Sequence, residues 1–168
     1  AVEGPARAIL AAERVALNFM GRMSGIASLT AQFVKTVSHT KTRIVCTRKT
    51  TPNLRAFEKY AVRCGGGRNH RMGLFDGILI KENHIAAAGS IAAAVEAARR
   101  LAPGIPVEVE VETLAELEEA FAADADMALL DEFSLEDLRT AVTRNRLRPR
   151  PPSARLPNPS RSIKSPRT

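Results

Sequence analysis

At 168 residues, with 45% apolar side chains but only six Phe, one Tyr and no Trp, the chain is long enough to enclose a core built mostly from Ala, Val, Ile and Leu. The net charge of +7 invites a nucleic-acid reading, yet residues 144–168 hold eight Lys or Arg and no acid, leaving 17 basic against 18 acidic residues over 1–143. No apolar run approaches the ~18 residues that span a bilayer, and Cys46 and Cys64 stand in no metal-ligand spacing; with no secretory h-region, a reducing, cytoplasmic setting is the expectation.

Ile9, Leu10, Val15, Leu17, Met20, Ile26, Leu29, Phe33 and Val37 recur near helical spacing and predict helix from about Ala6 to Ser38. Gly21 and Gly25 on either side of Ser24 predict a break or a close helix contact, hence two helical pieces. The β-rich run 43–47 predicts a strand ending at Arg48. Thr51 as N-cap and Pro52 at the first helical position predict a helix to about Arg63, stopped by Gly65-Gly66-Gly67.

Residues 77–80 predict the next strand, ending at Lys81, and an Ala-rich helix follows from Ser90 to about Leu101, with Arg99 and Arg100 where the helix dipole favours cations. Val107–Val111 is the third predicted strand, and Thr113 with Glu116 forms a capping box for a helix to about Ala123. Met127–Leu130 is the fourth, ending at Asp131, and Ser134 with Asp137 opens the last helix by the same device. Strands alternating with helices imply a parallel sheet or barrel. Beyond Asn145 the sequence holds six of the ten prolines, no acid and no glycine. It predicts a disordered basic tail over 146–168 after an α/β domain over 1–145.

The four predicted strands carry Arg48, Lys81, Glu110 and Asp131 at or next to their ends. In a βα barrel the site lies at the C-terminal ends of the strands, so four charges around one mouth are expected. Arg48 and Arg71 offer planar forks for carboxylate or phosphate, and Lys49 and Lys81 act as point charges. Glu110 and Asp131 suit Mg²⁺, which takes one or two carboxylates and fills its shell with substrate phosphate and water. A phosphorylated, metal-bound substrate beside a second, acidic one is the expected ligand set. His70 adjoins Arg71 and can donate to an anion, but it is given no general-base role. His39 and His84 are expected to be structural. The glycine run follows a helix rather than a strand, which excludes a dinucleotide fingerprint.

Taken in order, ERVALNF with SGIA, TRKTTPNLR, EKYAV followed by GGG and His70-Arg71, LIKENHI, VEVEVET and LLDEFS make residues 13–143 resemble the quinolinate phosphoribosyltransferase family. The resemblance implies an incomplete α/β barrel of the type II phosphoribosyltransferase kind, without most of the N-terminal α/β domain and the last barrel strands. It implies transfer of phosphoribosyl from phosphoribosyl pyrophosphate to quinolinate with decarboxylation, giving nicotinate mononucleotide, pyrophosphate and CO₂ in NAD synthesis, with Mg²⁺ as cofactor. Arg48, His70, Arg71 and Lys81 would hold the quinolinate carboxylates. Arg14 would join them from the partner subunit of a homodimer or larger homo-oligomer. Lys49, Glu110 and Asp131 would face the phosphoribosyl pyrophosphate and its metal and carry the catalytic role.

The sequence departs from the family's pattern at Glu132, where Asn is usual, and at Glu82, where Asp is common. It has no glycine after Gly104, where the family has phosphate-binding loops. An Arg-, Pro- and Ser-rich end is what a GC-rich gene yields when read out of frame, so a frameshift near Asn145 is one expectation and a genuine basic tail the other. Three rivals stand beside the main reading: a nicotinate-type phosphoribosyltransferase, an inactive fragment, and a nonenzymatic nucleic-acid binder acting through the tail. The last lacks an aromatic platform or recognition helix.

Overall fold

The computed structural model describes residues 2–147, which fall into two compact units divided after Leu74. The tail expected beyond Asn145 lies, from residue 148 on, outside the described residues.

In the first unit, helix α1 runs without interruption over Ala6–Val37, which corrects the expectation of two helical pieces. Neither Gly21 nor Gly25 adopts a positive φ, and nothing crowds either position, so neither marks a break or a close contact. A helix-interior glycine costs only about 1 kcal/mol against alanine, too little to interrupt so long a helical run.

Helix α2, Arg55–Cys64, packs on α1, and the rings of Phe19 and Phe57 meet at 5.5 Å. It starts three residues later than the Thr51-Pro52 signal predicts. Leu54 N–H donates to Thr51 O (3.0 Å) in a turn that places Asn53 at φ 64°. The Thr51 hydroxyl accepts from Arg22 instead of capping the helix. The glycine run does end α2, for a steric reason: a Cβ on Gly65 would lie 2.4 Å from Ala27 O and 2.7 Å from Thr30 Cβ of α1.

The strand expected over 43–47 is reduced to a single parallel bridge, Val45 to Arg68, held by Cys46 N–H to Arg68 O (3.0 Å) and Arg68 N–H to Ile44 O (2.8 Å). Val45 stays 54% exposed, so its β-branched side chain has no core contact to extend the ladder. Arg48 therefore follows a loop and not a strand.

The second unit is a three-stranded parallel sheet in the order β1-β2-β3: β1 Ile78–Ile80, β2 Val107–Val111 and β3 Met127–Leu130. Its helices are α3 Glu82–Ala88, α4 Ile91–Leu101, α5 Leu114–Ala122 and α6 Leu135–Leu147. Only α3 has no counterpart in the sequence reading, because seven residues with a polar first turn show no apolar period. His84 fixes its start by accepting the Lys81 N–H on Nδ1 (2.9 Å), and Gly89 ends it at φ 89°.

The hydroxyl caps form as expected. Thr113 Oγ accepts from Glu116 N–H (3.1 Å) and Ser134 Oγ from Asp137 N–H (3.1 Å). The return arm of the first box shifts by one residue, since Glu116 accepts from Glu112 N–H (2.7 Å) and not from Thr113.

On β2, Val107, Val109 and Val111 are wholly buried and share one core with Ile91 and Val95 of α4 and Leu117 and Ala120 of α5. Burying each valine contributes roughly 1.5 kcal/mol or more. Alternation along the strand then puts Glu108 and Glu110 on the opposite face.

Two substitutions test this packing by chemical denaturation. Gly65→Ala should destabilise the chain by about 1–3 kcal/mol, the range for overpacking, because backbone and a Cβ of α1 occupy the added carbon's space. Glu132 sits at φ 57°, a left-handed conformation that asparagine tolerates and longer side chains resist. Glu132→Asn should raise stability by about 0.5 kcal/mol.

Candidate functional site

The register Ile78 with Val107 and Ile80 with Val109 sets Lys81, the next residue of the chain, level with Glu110. Lys81 Nζ donates to Glu110 Oε1 at 2.7 Å, with the lysine side chain 41% and the glutamate 9% exposed. That hydrogen bond is the main reason the Lys81 pKa is raised; burial opposes it, and the charges of Glu110, Glu82 and Asp131 add to it. A raised lysine pKa contributes stability that is fully present below about pH 10.4 and fades as pH rises through the folded value. Lys81 is thus a fixed cation at neutral pH.

Asp131 follows Leu130 of β3, exposed, with its N–H still donating to Val111 O (3.0 Å). Lys81, Glu110 and Asp131 therefore stand together on the C-terminal edge of the sheet. Glu108 lies one layer below Glu110 on the same face and is buried. The VEVEV alternation places it there.

The other predicted cations belong to the first unit. Arg48 is half-buried, and its Nε is a buried donor without a hydrogen-bond partner among the described residues. Its loop is held by Thr50 N–H to Arg48 O (2.9 Å) and Lys49 N–H to Thr47 Oγ (3.1 Å). Lys49 and Arg14 are exposed, whereas His70 and Arg71 are half-buried. The bridge between Val45 and Arg68 lays the segment leading to Arg48 beside the one leading to His70 and Arg71.

One face of α2 supports both segments. Glu58, buried, accepts from Arg22 Nε (3.0 Å) and from Thr51 N–H (3.2 Å). The Arg22 hydrogen bond holds its carboxyl below the usual range, against burial and with help from Thr51. Arg55 Nε donates to Thr50 Oγ (3.1 Å) and its Nη1 to Met72 O (3.2 Å). Lys59, 1% exposed, donates to Cys46 Sγ (2.9 Å) and His70 O (3.2 Å). None of the three was singled out from sequence. The available signal was that Glu58 and Lys59 stand three and four residues after Arg55, so each neighbours it on the helix surface.

The second unit is thus a parallel α/β unit with a lysine and two carboxylates at its strand ends, and the first carries Arg48 and Arg71 on neighbouring segments. Residues 26–154 match the family described as quinolinate phosphoribosyl transferase, C-terminal domain. The nicotinate-nucleotide pyrophosphorylase [carboxylating] of Mycobacterium leprae is 49% identical over 147 residues, 88% of this chain and 52% of that protein. The Homo sapiens protein of the same name is 43% identical, over 84% of this chain and 49% of its own length. Among solved structures, NadC of Streptococcus pyogenes superposes with a TM-score of 0.78 at 55% identity, over 83% of this chain and 50% of that one. The nicotinate-nucleotide pyrophosphorylase of Francisella tularensis gives 0.81 at 55% identity, over 84% and 50%. This chain belongs to the quinolinate phosphoribosyltransferase family. It is a partial α/β barrel of that family's C-terminal domain and spans about half the length of the curated relatives it matches.

Two measurements probe the electrostatics. Glu58 contributes stability above about pH 4.3 that is lost as pH falls through its lowered pKa; Glu58→Gln should flatten the acid limb of a stability–pH curve while leaving its alkaline limb unchanged. A double-mutant cycle of Lys81→Met and Glu110→Gln should return a coupling of about 1 kcal/mol or less, because the lysine is substantially solvated.

Proposed function

We propose that this chain carries the dicarboxylate-binding part and the start of the phosphoribosyl part of a quinolinate phosphoribosyltransferase site. The reaction is transfer of phosphoribosyl from phosphoribosyl pyrophosphate to quinolinate with loss of CO₂, forming nicotinate mononucleotide. The observation that carries the reading is Arg48: a buried guanidinium Nε without a hydrogen-bond partner among the described residues, in a loop laid beside the segment of His70 and Arg71, suits an anionic acceptor. Two arginines and a histidine suit a substrate with two carboxylates better than a monocarboxylate, which favours quinolinate over nicotinate.

In this reading Arg48, His70, Arg71 and Lys81 bind and orient the acid so that its ring nitrogen faces the anomeric carbon. The partner's Arg14 completes that cage. Alignment and charge stabilisation are the whole task, because displacement at the anomeric carbon passes through a cation-like transition state and needs no general base. Lys49 neutralises the departing pyrophosphate. Glu110 and Asp131 face the same substrate.

No group of three His, Cys, Asp or Glu side chains suited to a metal occurs among the described residues, and Glu110 already accepts from Lys81. This donor set does not enclose a metal by itself, but it fits Mg²⁺ held mainly by substrate phosphates, with Asp131 and Glu110 supplying one or two ligands. When bound, the ion supplies charge neutralisation of the leaving group. A cytoplasmic setting is supported by Cys46 and Cys64, both free of disulfides, and no described helix is long and apolar enough to cross a membrane.

Assembly as a homodimer is supported by α1, where Leu10, Val15, Leu17, Met20, Leu29 and Phe33 are each at least half exposed. Leu10, Leu17 and Met20 recur at helical spacing on one face of α1, and an exposed apolar face of that kind marks an interaction site. Sedimentation should show a concentration-dependent dimer, shifted to monomer by Leu17→Glu.

Thermal unfolding of the chain with added ligand tests the binding reading. Quinolinate should raise the midpoint, by about 2.7 kcal/mol of stabilisation at a hundredfold excess over Kd, and nicotinate should do so less. Arg48→Met should abolish the shift. No shift with quinolinate would refute the proposal.

A further inference from the structure

Lys59 is buried to 1% exposure, and among the described residues its ammonium has no carboxylate within ion-pair distance; its acceptors are Cys46 Sγ at 2.9 Å and the His70 carbonyl at 3.2 Å. Burying an ammonium against neutral acceptors is expensive, and a methionine would fill the volume without that penalty. The lysine therefore does not owe its place to stability. Its two acceptors lie in the two segments that carry the arginines, Cys46 two residues before Arg48 and His70 directly before Arg71.

One turn earlier on the same helix face, Arg55 reaches the same segments: Nε to Thr50 Oγ at 3.1 Å and Nη1 to the Met72 carbonyl at 3.2 Å. The carbonyls of His70 and Met72, on either side of Arg71, are thus both held by cations of α2. Each of the two cations also holds the segment around Arg48. We propose that Lys59 and Arg55 are positioning residues that set the backbone around Arg71 relative to the Arg48 loop, and so fix the spacing of two guanidinium groups for a dicarboxylate. This rests on the dicarboxylate reading for its ligand, but the backbone anchoring can be tested separately.

A short donor set with fixed spacing explains why a helix supplies it. Residues 55 and 59 are one turn apart and face the same way, so their donors keep a constant separation that a loop would not. Pre-setting the arginines removes ordering cost at the moment of binding.

The test uses the full chain with Lys59→Met, Arg55→Met and the conservative Arg55→Lys. Amide hydrogen exchange over 69–73, thermal midpoint, and Kd for quinolinate and for phosphoribosyl pyrophosphate are measured in parallel. Lys59→Met should speed exchange over 69–73 several-fold while leaving α1 protected and the midpoint unchanged or higher. It should weaken quinolinate about tenfold, as expected for loss of a charged hydrogen bond, and leave phosphoribosyl pyrophosphate within about twofold. Arg55→Met should behave alike, and Arg55→Lys should recover most of the loss.

Unchanged exchange over 69–73 in both methionine variants overturns the positioning role, whether or not the unsubstituted chain binds quinolinate. Accelerated exchange throughout residues 6–74 with a lowered midpoint also overturns it, by showing a general structural role. Locally accelerated exchange in a chain that binds no quinolinate even unsubstituted supports the anchoring and refutes the dicarboxylate reading alone.

Discussion

The constraint on which the second unit depends is the two-residue period of β2. With Val107, Val109 and Val111 all fully buried against α4 and α5, the strand cannot slip by one residue without turning three valines out of the core and two carboxylates into it. The position of Glu110 is therefore fixed by hydrophobic burial on the face opposite to it. Parallel pairing passes the same constraint to its neighbours, so that Lys81 on one side and Leu129 on the other are level with Glu110. A charged layer at the strand ends is thus held by an uncharged core, which leaves its side chains available to a ligand.

The first unit reaches a similar end by other means. Among its described residues it has one β-bridge and no sheet, and Arg48 and Arg71 sit on loops whose backbone is fixed by side chains. Gly65 allows the chain after α2 to pass within touching distance of α1, and Glu58 ties Arg22 of α1 to the Thr51 turn. Loops of this kind are precise only where their carbonyls and N–H groups have partners. That is why the polar face of α2, rather than any apolar cluster, governs the segments around Arg48 and Arg71.

These two strategies differ in how legible they were. Strands β1 to β3, helices α4 to α6 and the hydroxyl caps at Thr113 and Ser134 were readable because each rests on local chemistry: alternation, helical period or a capping side chain. The charges Lys81, Glu110 and Asp131 could be placed by counting from those strands. The run 43–47 looked equally β-rich, but strand formation depends on a partner and a core, and Val45 has neither beyond one bridge. Thr51 looked like a cap until Arg22, 29 residues away, claimed its hydroxyl. Lys59 was hidden by the opposite error, since a lysine in a helix is read as solvated unless tertiary contacts say otherwise.

The electrostatic states of the two units bear on what each does when an anion arrives. Lys81 already holds a carboxylate at 2.7 Å, so an incoming anion there must share or displace Glu110 and gains only the difference between two similar interactions. Arg48 presents a buried donor that no described group accepts from, so an anion there gains a charge-assisted hydrogen bond without breaking one, and relieves a desolvation cost already incurred. An anion that reached the Arg48 loop would therefore gain more than one that met Lys81. At the sheet edge, Lys81 and Glu110 satisfy one another. A paired lysine of that kind keeps its charge at every physiological pH, and it does so without leaving a permanently unsatisfied cation in the empty chain.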